Sequence, residues 1–334
     1  MGTVAVFVGL DYHDEAVQVC ILDDQGQQLA NRSCANDAAA IVAFVQRHGQ
    51  RVQAAVESCT GAANLADELV NRFGWSVDLA HPGFVARMKQ NPDKTDFQDA
   101  HLLADLERVG YLPRVWLAPE PVRELRQLVR YRQQLTERRR ATKLRIRAVL
   151  REQRCRAPAG INAWTQAWQR WLTRTAPLSE QGRWVVERHL RELTRLADDI
   201  GEVEKRLQQV TADDPEVARL LAQRGIGPVT AWTLRAEIGR FDRFRSGKQL
   251  ARLCGLSPKN ASSGQRQADA GLIRAANPQL RSVLIEAAHR LIRLEPRWRA
   301  LAQDLRSAGK PGSLVVAAVA NRWVRWLFHQ MRAA

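Results

Sequence analysis

Four carboxylates in this sequence stand where they could hold a cation. Asp11 closes the apolar run 4–10, within Val8-Gly9-Leu10-Asp11. Glu57 closes a second strand-like run, 52–56, within Ala54-Ala55-Val56-Glu57-Ser58. Asp96 and Asp99 lie three residues apart at the start of a helical stretch, so they share one face. If the two strands are parallel neighbours, both strand acids emerge at the same end, and all four can converge. Hard divalent cations such as Mg²⁺ or Mn²⁺ take oxygen ligands. A pair of them stabilises the attacking and leaving oxygens of a phosphodiester exchange. Each acid alone has a plainer explanation: acids are common at strand ends, and Asp96 or Asp99 could cap a helix. The ordered set carries the chemical reading.

The elements that must position these acids follow from pattern. Residues 4–10, 16–22 and 28–33 read as three strands, with Asp23-Asp24-Gln25-Gly26 as the turn between the second and third. Residues 38–47 have helical spacing, with Asn36 or Asp37 as the cap. Then come a strand at 52–56, a helix at 62–73, a strand at 76–80, a short helix at 84–90 and a longer helix at 97–109. Such alternation predicts a mixed sheet covered by helices.

The rest of the chain reads as helical. Residues 121–156 hold thirteen Arg or Lys against Glu124, Glu137 and Glu152, with no Gly. A single long basic helix is expected there. Like charges at i and i+4 repel, so an anionic partner is a better account than a solvated face. Arg138, Arg139, Arg140, Lys143 and Arg147 are its candidate nucleic-acid contacts. Trp164, Trp168 and Trp171 fall on one helical face and read as packing rather than base stacking. Leu190, Leu193, Leu196, Ile200, Val203 and Leu207 form a coiled-coil-like seam, a candidate dimer contact. The expected division is 1–115, an α/β catalytic domain; 116–212, a basic helical and coiled-coil segment; and 213–334, a helical C-terminal domain.

Two motifs mark that last segment. Gly225-Ile226-Gly227-Pro228-Val229-Thr230 lies between helical stretches. It looks like a helix-hairpin-helix turn, whose backbone amides at Gly225 and Gly227 could hold a phosphate. Further on, Gly255-Leu256-Ser257-Pro258-Lys259-Asn260-Ala261-Ser262-Ser263-Gly264-Gln265-Arg266 is a polar loop with two adjacent serines and the cations Lys259 and Arg266. Composition alone makes its serines loop formers.

Composition narrows the class. Lys and Arg total 51 against 35 Asp and Glu, a formal charge of +16, and Arg greatly outnumbers Lys. Arginine grips phosphate through a planar fork, so the excess favours nucleic acid. Apolar residues make up 45% of the 334, enough for real cores. The five cysteines are scattered, without a Cys-x-x-Cys pair, which argues against zinc and disulfides and for a reducing, cytoplasmic setting near the nucleoid. No membrane span and no nucleotide-binding Gly-x-x-x-x-Gly-Lys-Ser/Thr loop is present.

Together, Gly9-Leu10-Asp11, Glu57-Ser58-Cys59, Lys94-Thr95-Asp96-Phe97-Gln98-Asp99-Ala100, Gly225-Ile226-Gly227 and Gly255-Leu256-Ser257-Pro258 leading to Ser263-Gly264 resemble the DEDD transposases of the insertion sequence one-ten family, the bridge-RNA-guided recombinases. The resemblance covers nearly the whole chain. It implies an RNase H-like (RuvC-like) first domain, with Mg²⁺ or Mn²⁺ held by Asp11, Glu57, Asp96 and Asp99. It implies Ser263 as nucleophile, with Ser262 as the competing choice. It also implies double-stranded target and donor DNA, a structured guide RNA, and a homo-oligomer, dimer or tetramer. Two other classes stay open: a hydrolytic RuvC-like junction resolvase or nuclease, which needs no serine, and a non-enzymatic nucleic-acid-binding protein.

Overall fold

A computed structural model describes residues 5–89, 95–260 and 269–332. The chain divides into two compact units, residues 1–119 and 120–334.

The first unit is built on six strands: β1 (Ala5–Tyr12), β2 (Ala16–Leu22), β3 (Gln28–Ala35), β4 (Arg51–Glu57), β5 (Ser76–Ala80) and β6 (Arg114–Val115). They lie in the order β3-β2-β1-β4-β5-β6. β1, β2 and β3 form an antiparallel meander, while β4 runs parallel to β1 and β5 parallel to β4. This is the mixed sheet that the pattern predicts. The two-residue β6 was not anticipated. It follows Pro113 and pairs only Leu79 with Val115 and Ala80 with Arg114, too short to leave a period.

Strand alternation sorts the side chains between two helical layers. Val6, Val8 and Leu10 of β1, with Val52, Ala54 and Val56 of β4, pack in one core with α1 (Ala38–Val45) and α2 (Ala62–Phe73). Phe7 of β1 and Ala55 of β4 face the other way, onto α4 (Asp96–Arg108) and α3 (Pro82–Met88). Asp37 caps α1 by accepting from the Ala40 amide at 2.7 Å. Thr95 caps α4 by accepting from Gln98 N at 3.3 Å. Asp96 and Asp99 are therefore free of the capping role considered for them.

The second unit is mostly helical. Its frame is α5 (Glu120–Glu152) and α7 (Glu180–Val210), with α6 (Gln166–Arg174) beside them. Ile146 and Leu150 of α5 share a core with Trp168, Trp171 and Val186, and Trp164, partly buried, packs against the same core, so all three tryptophans are packing residues. The leucine seam of α7 is taken up inside the chain. Leu196 and Ile200 pack on Leu135, and Leu207 joins Leu125 and Val129 in the C-terminal core. That core gathers α8 (Pro215–Leu221), α9 (Pro228–Ile238), α10 (Gly247–Leu253), α11 (Pro278–Leu294), α12 (Pro296–Ser307) and α13 (Gly312–Arg332). A small hairpin of β7 (Pro258–Asn260) and β8 (Asp269–Leu272) sits between α10 and α11 in the chain. Among the described residues, no helix is long and apolar enough to cross a membrane.

Candidate metal centre and basic surfaces

Strand parity turns Asp11 and Glu57 to the same side of the sheet. Asp11 shares the orientation of Phe7 and Gly9, and Glu57 that of Ala55, so both project to the α4 side of the sheet. The parallel register pairs Leu10 with Val56, which sets Asp11 and Glu57 at the carboxyl ends of adjacent strands. Gly9 then lets α4 close in. A Cβ at Gly9 would collide with the Ala100 carbonyl oxygen and lie 2.6 Å from the Ala104 amide nitrogen. Only a residue without a side chain allows this crossing, and the crossing carries the first turn of α4, with Asp96 and Asp99, toward the end of β1.

The Asp11 and Asp96 carboxylates meet at one imidazole. His13 Nε2 lies 3.3 Å from Asp11 Oδ2 and 3.4 Å from Asp96 Oδ2. One donor atom from each of these three residues falls within 4.8 Å of the others, a space that a divalent cation could occupy. Asp99 is buried, and its Oδ2 is held by Lys89 Nζ at 2.6 Å. Burial pushes the Asp11 carboxyl above the usual aspartate range; the charge of His13 opposes this, and Asp96 and Asp99 reinforce it. The Cys59 thiol is likewise raised, first by burial and then by the charges of Glu57, Asp11 and Asp14, which puts Glu57 in the same acidic field. The donor set suits a hard divalent cation such as Mg²⁺ or Mn²⁺, with the imidazole of His13 as an added nitrogen.

His13 and Lys89 were not anticipated. His13 had a signal: it stands two residues after Asp11, the spacing that keeps one face at a strand end. Lys89 had none, because its approach to Asp99 depends on how α3 and α4 are placed. The nucleophile candidates Ser262 and Ser263, together with Lys94 and Arg266, lie outside the described residues. Lys259 is exposed on β7.

The basic helix divides into two halves. Near its start, Arg130 donates to both carboxylate oxygens of Glu237, at 2.9 and 3.1 Å, and Arg126 lies 3.8 Å from the same group. Glu237 is buried and also accepts from Asn277 Nδ2 at 2.7 Å. Arg132 pairs with Glu204 at 2.6 Å. These arginines serve the fold. Further along, Arg138, Arg139, Arg140, Lys143 and Arg147 make no ion pair among the described residues. At the glycine turn, Gly225 has φ +83°, and a Cβ there would come within 2.7 Å of Leu291 Cδ2. Its carbonyl accepts from Arg290 Nη2 at 3.1 Å. The turn thus has a packing reason for Gly225. Gly227 precedes Pro228 as the cap of α9 without a side-chain hydrogen bond.

Known proteins resemble this chain in sequence. A family model described as a transposase, the DEDD transposase of IS110, matches residues 8–154 and so spans all four acids. A second, described as the transposase IS116/IS110/IS902 family, matches residues 217–303. A probable family 20 transposase of Pseudomonas aeruginosa is 29% identical over 281 residues, covering 82% of each chain. The transposase for insertion sequence element IS1328 of Yersinia enterocolitica is 27% identical, covering 81% of each. The transposase for insertion sequence element IS1111A of Coxiella burnetii is 25% identical over 86% of this chain and 78% of its own. With family matches in both units and relatives aligned along most of its length, the chain belongs to the IS110/IS116 family of transposases, enzymes that act on DNA.

Proposed function

We propose that the chain cuts and rejoins DNA by metal-dependent phosphoryl transfer through a serine-linked intermediate, with target and donor sites chosen by a structured guide RNA. The observation that carries the metal-dependent part is the meeting of Asp11 and Asp96 at one point, with Glu57 on the neighbouring strand end and Asp99 one helical turn on. Asp11, Glu57, Asp96 and Asp99 would hold the cation, and His13 stands within reach of two of them. When bound, Mg²⁺ or Mn²⁺ would supply charge stabilisation for the scissile phosphate.

The protein's own groups account for the covalent steps. The Ser263 Oγ attacks phosphorus and forms a new O–P bond, while the DNA 3′-oxygen leaves and takes up a proton. A 3′-hydroxyl from the partner strand then attacks the phosphoserine, forming the recombined phosphodiester and returning a proton to Ser263. The bond energy is conserved throughout, so the exchange needs no nucleoside triphosphate. Free cations along the second half of α5 would hold nucleic-acid backbone, contacts that position rather than specify. Sequence choice would come from pairing with the guide RNA. A dimer or tetramer would bring serine and carboxylates of different copies together.

The test is to purify the protein, sequence any RNA that accompanies it, and add cognate DNA with Mg²⁺. Wild-type protein is expected to become covalently attached to DNA at Ser263. Ser263→Ala should abolish both attachment and strand exchange. Cleavage that persists in Ser263→Ala would replace this reading with that of a hydrolytic nuclease. An unchanged reaction in Asp11→Ala would remove the metal centre from it.

A further inference from the structure

The second unit contains a cavity of about 790 Å³ walled by α5, α6 and α7. Five cations line it: Arg139 and Lys143 from α5, Arg170 and Arg174 from α6, and Arg191 from α7. Asp198 is the one carboxylate among its lining residues. None of the five cations makes an ion pair among the described residues. Burial, and then the charges of Arg139 and Arg147, push the Lys143 ammonium below its usual value.

Trp164 also lines this cavity, half-buried, with a backbone φ of +71° that bulky residues rarely adopt. Its ring lies 4.7 Å from that of Trp168, with Lys143 Nζ 4.9 Å and Arg147 Cζ 5.5 Å from its centroid. A strained aromatic among unpaired cations is the composition of a site that holds a strand by its phosphates and stacks against its bases. The charge continues beyond the cavity. A second one, of about 400 Å³, shares Arg191 and is lined by Arg138, Arg188 and Arg195 together with Glu192 and Asp199, so cations outnumber acids there by four to two.

We infer that these cavities form a track for an unpaired nucleic-acid strand, with Arg139, Lys143, Arg170, Arg174 and Arg191 on its phosphates and Trp164 beside its bases. The inference rests on the reading of the chain as a nucleic-acid-processing enzyme but assigns a site outside the carboxylate centre. Continuity through Arg191 favours a strand over a compact polyphosphate. A cavity of about 790 Å³ takes in a few nucleotides of one strand rather than a whole duplex.

The test uses full-length protein and fluorescence anisotropy with labelled 20-nucleotide probes: single-stranded RNA, single-stranded DNA and duplex DNA. The double variant Arg170→Glu/Arg174→Glu changes two exposed α6 residues, and its fold is checked by melting temperature. Arg306→Glu/Lys310→Glu on the surface carries the same charge change as a control. The α6 variant is expected to weaken single-strand binding by about tenfold or more and to reduce the log–log salt slope by about 1.4, the value for two phosphate contacts on a single strand. Duplex binding should fall no more than in the control. Tighter wild-type binding of RNA identifies the strand as RNA, and tighter binding of DNA identifies it as a displaced DNA strand; both support the track. Equal losses on strand and duplex, losses matched by the control, or full displacement of the strand by equimolar tripolyphosphate would overturn it. Strand attachment at Ser263 and its dependence on Asp11 are measured separately, so the two readings fail independently.

Discussion

The two units concentrate charge in opposite ways. In the first, Asp11 and Asp96 meet at His13, with Glu57 at the neighbouring strand end, because strand parity, parallel register and the helix crossing at Gly9 fix where these residues stand. In the second, cations on long side chains line a hollow between helices, and no single backbone feature places any one of them. The contrast suits the tasks proposed for them. A small hard cation needs donors placed to fractions of an ångström, whereas a phosphate backbone tolerates sliding along a basic surface. One unit should therefore be brittle to single changes and the other forgiving.

The sharpest test of the brittle side is Asp96→Ala. It removes one of the two carboxylates at the convergence and should lower strand exchange by about a hundredfold to a thousandfold, as loss of a key electrostatic group does. The matched change on the other side, Arg191→Ala, should cost only a few-fold in single-strand affinity. Equal losses would break the contrast. Next in size is Gly9→Ala. The added Cβ meets backbone rather than a yielding side chain, so the first unit should lose about 1–3 kcal/mol in denaturant unfolding, the range for overpacking. Unchanged stability would mean that α4 moves freely over β1.

The smallest effect concerns pH. Asp11 titrates higher in the folded chain than in the unfolded one, so its ionisation opposes folding when no cation is bound. Below about pH 4 the group is protonated in both states and the cost is absent; above the folded value the cost is complete. Metal-free Asp11→Asn should therefore melt higher than wild type at pH 7, with the gain vanishing toward pH 4. Scanning calorimetry with a chelator measures this. A gain that is constant with pH, or a loss, would show that burial and the neighbouring carboxylates do not raise the Asp11 carboxyl. Added Mn²⁺ should stabilise the wild type more than the variant.

Much of the first unit was legible because its periods are short. The strands at 16–22 and 76–80 and the helix at 62–73 fall at the bounds read from pattern alone. The acids were legible because apolar runs end on them. What pattern could not supply was the third dimension. His13 follows from parity once the strand end is known, but Lys89 reaches Asp99 only through the packing of α3 and α4. The basic helix was visible as composition. Its division into arginines spent on Glu237 and Glu204 and cations left over depends on acids about 70 to 110 residues away in sequence. The leucine seam was visible as well. Its partner turned out to be α5 of the same chain, a contact that spacing alone cannot distinguish from one with a second copy.

The alternation that aims Asp11 at α4 also limits how this chain can change length. Each residue along a strand adds about 3.3 Å and reverses the side-chain direction. One amino acid inserted between Gly9 and Asp11 would turn the carboxylate into the apolar layer beneath α1 and α2. Two would restore its direction but carry it, with His13, about 6.6 Å past the first turn of the helix it must face. Insertions after Tyr12, in the turn toward Ala16, disturb neither the direction nor the reach of that carboxylate. The strand is thus a ruler with a single usable mark, and length variation is confined to the hairpin beyond it.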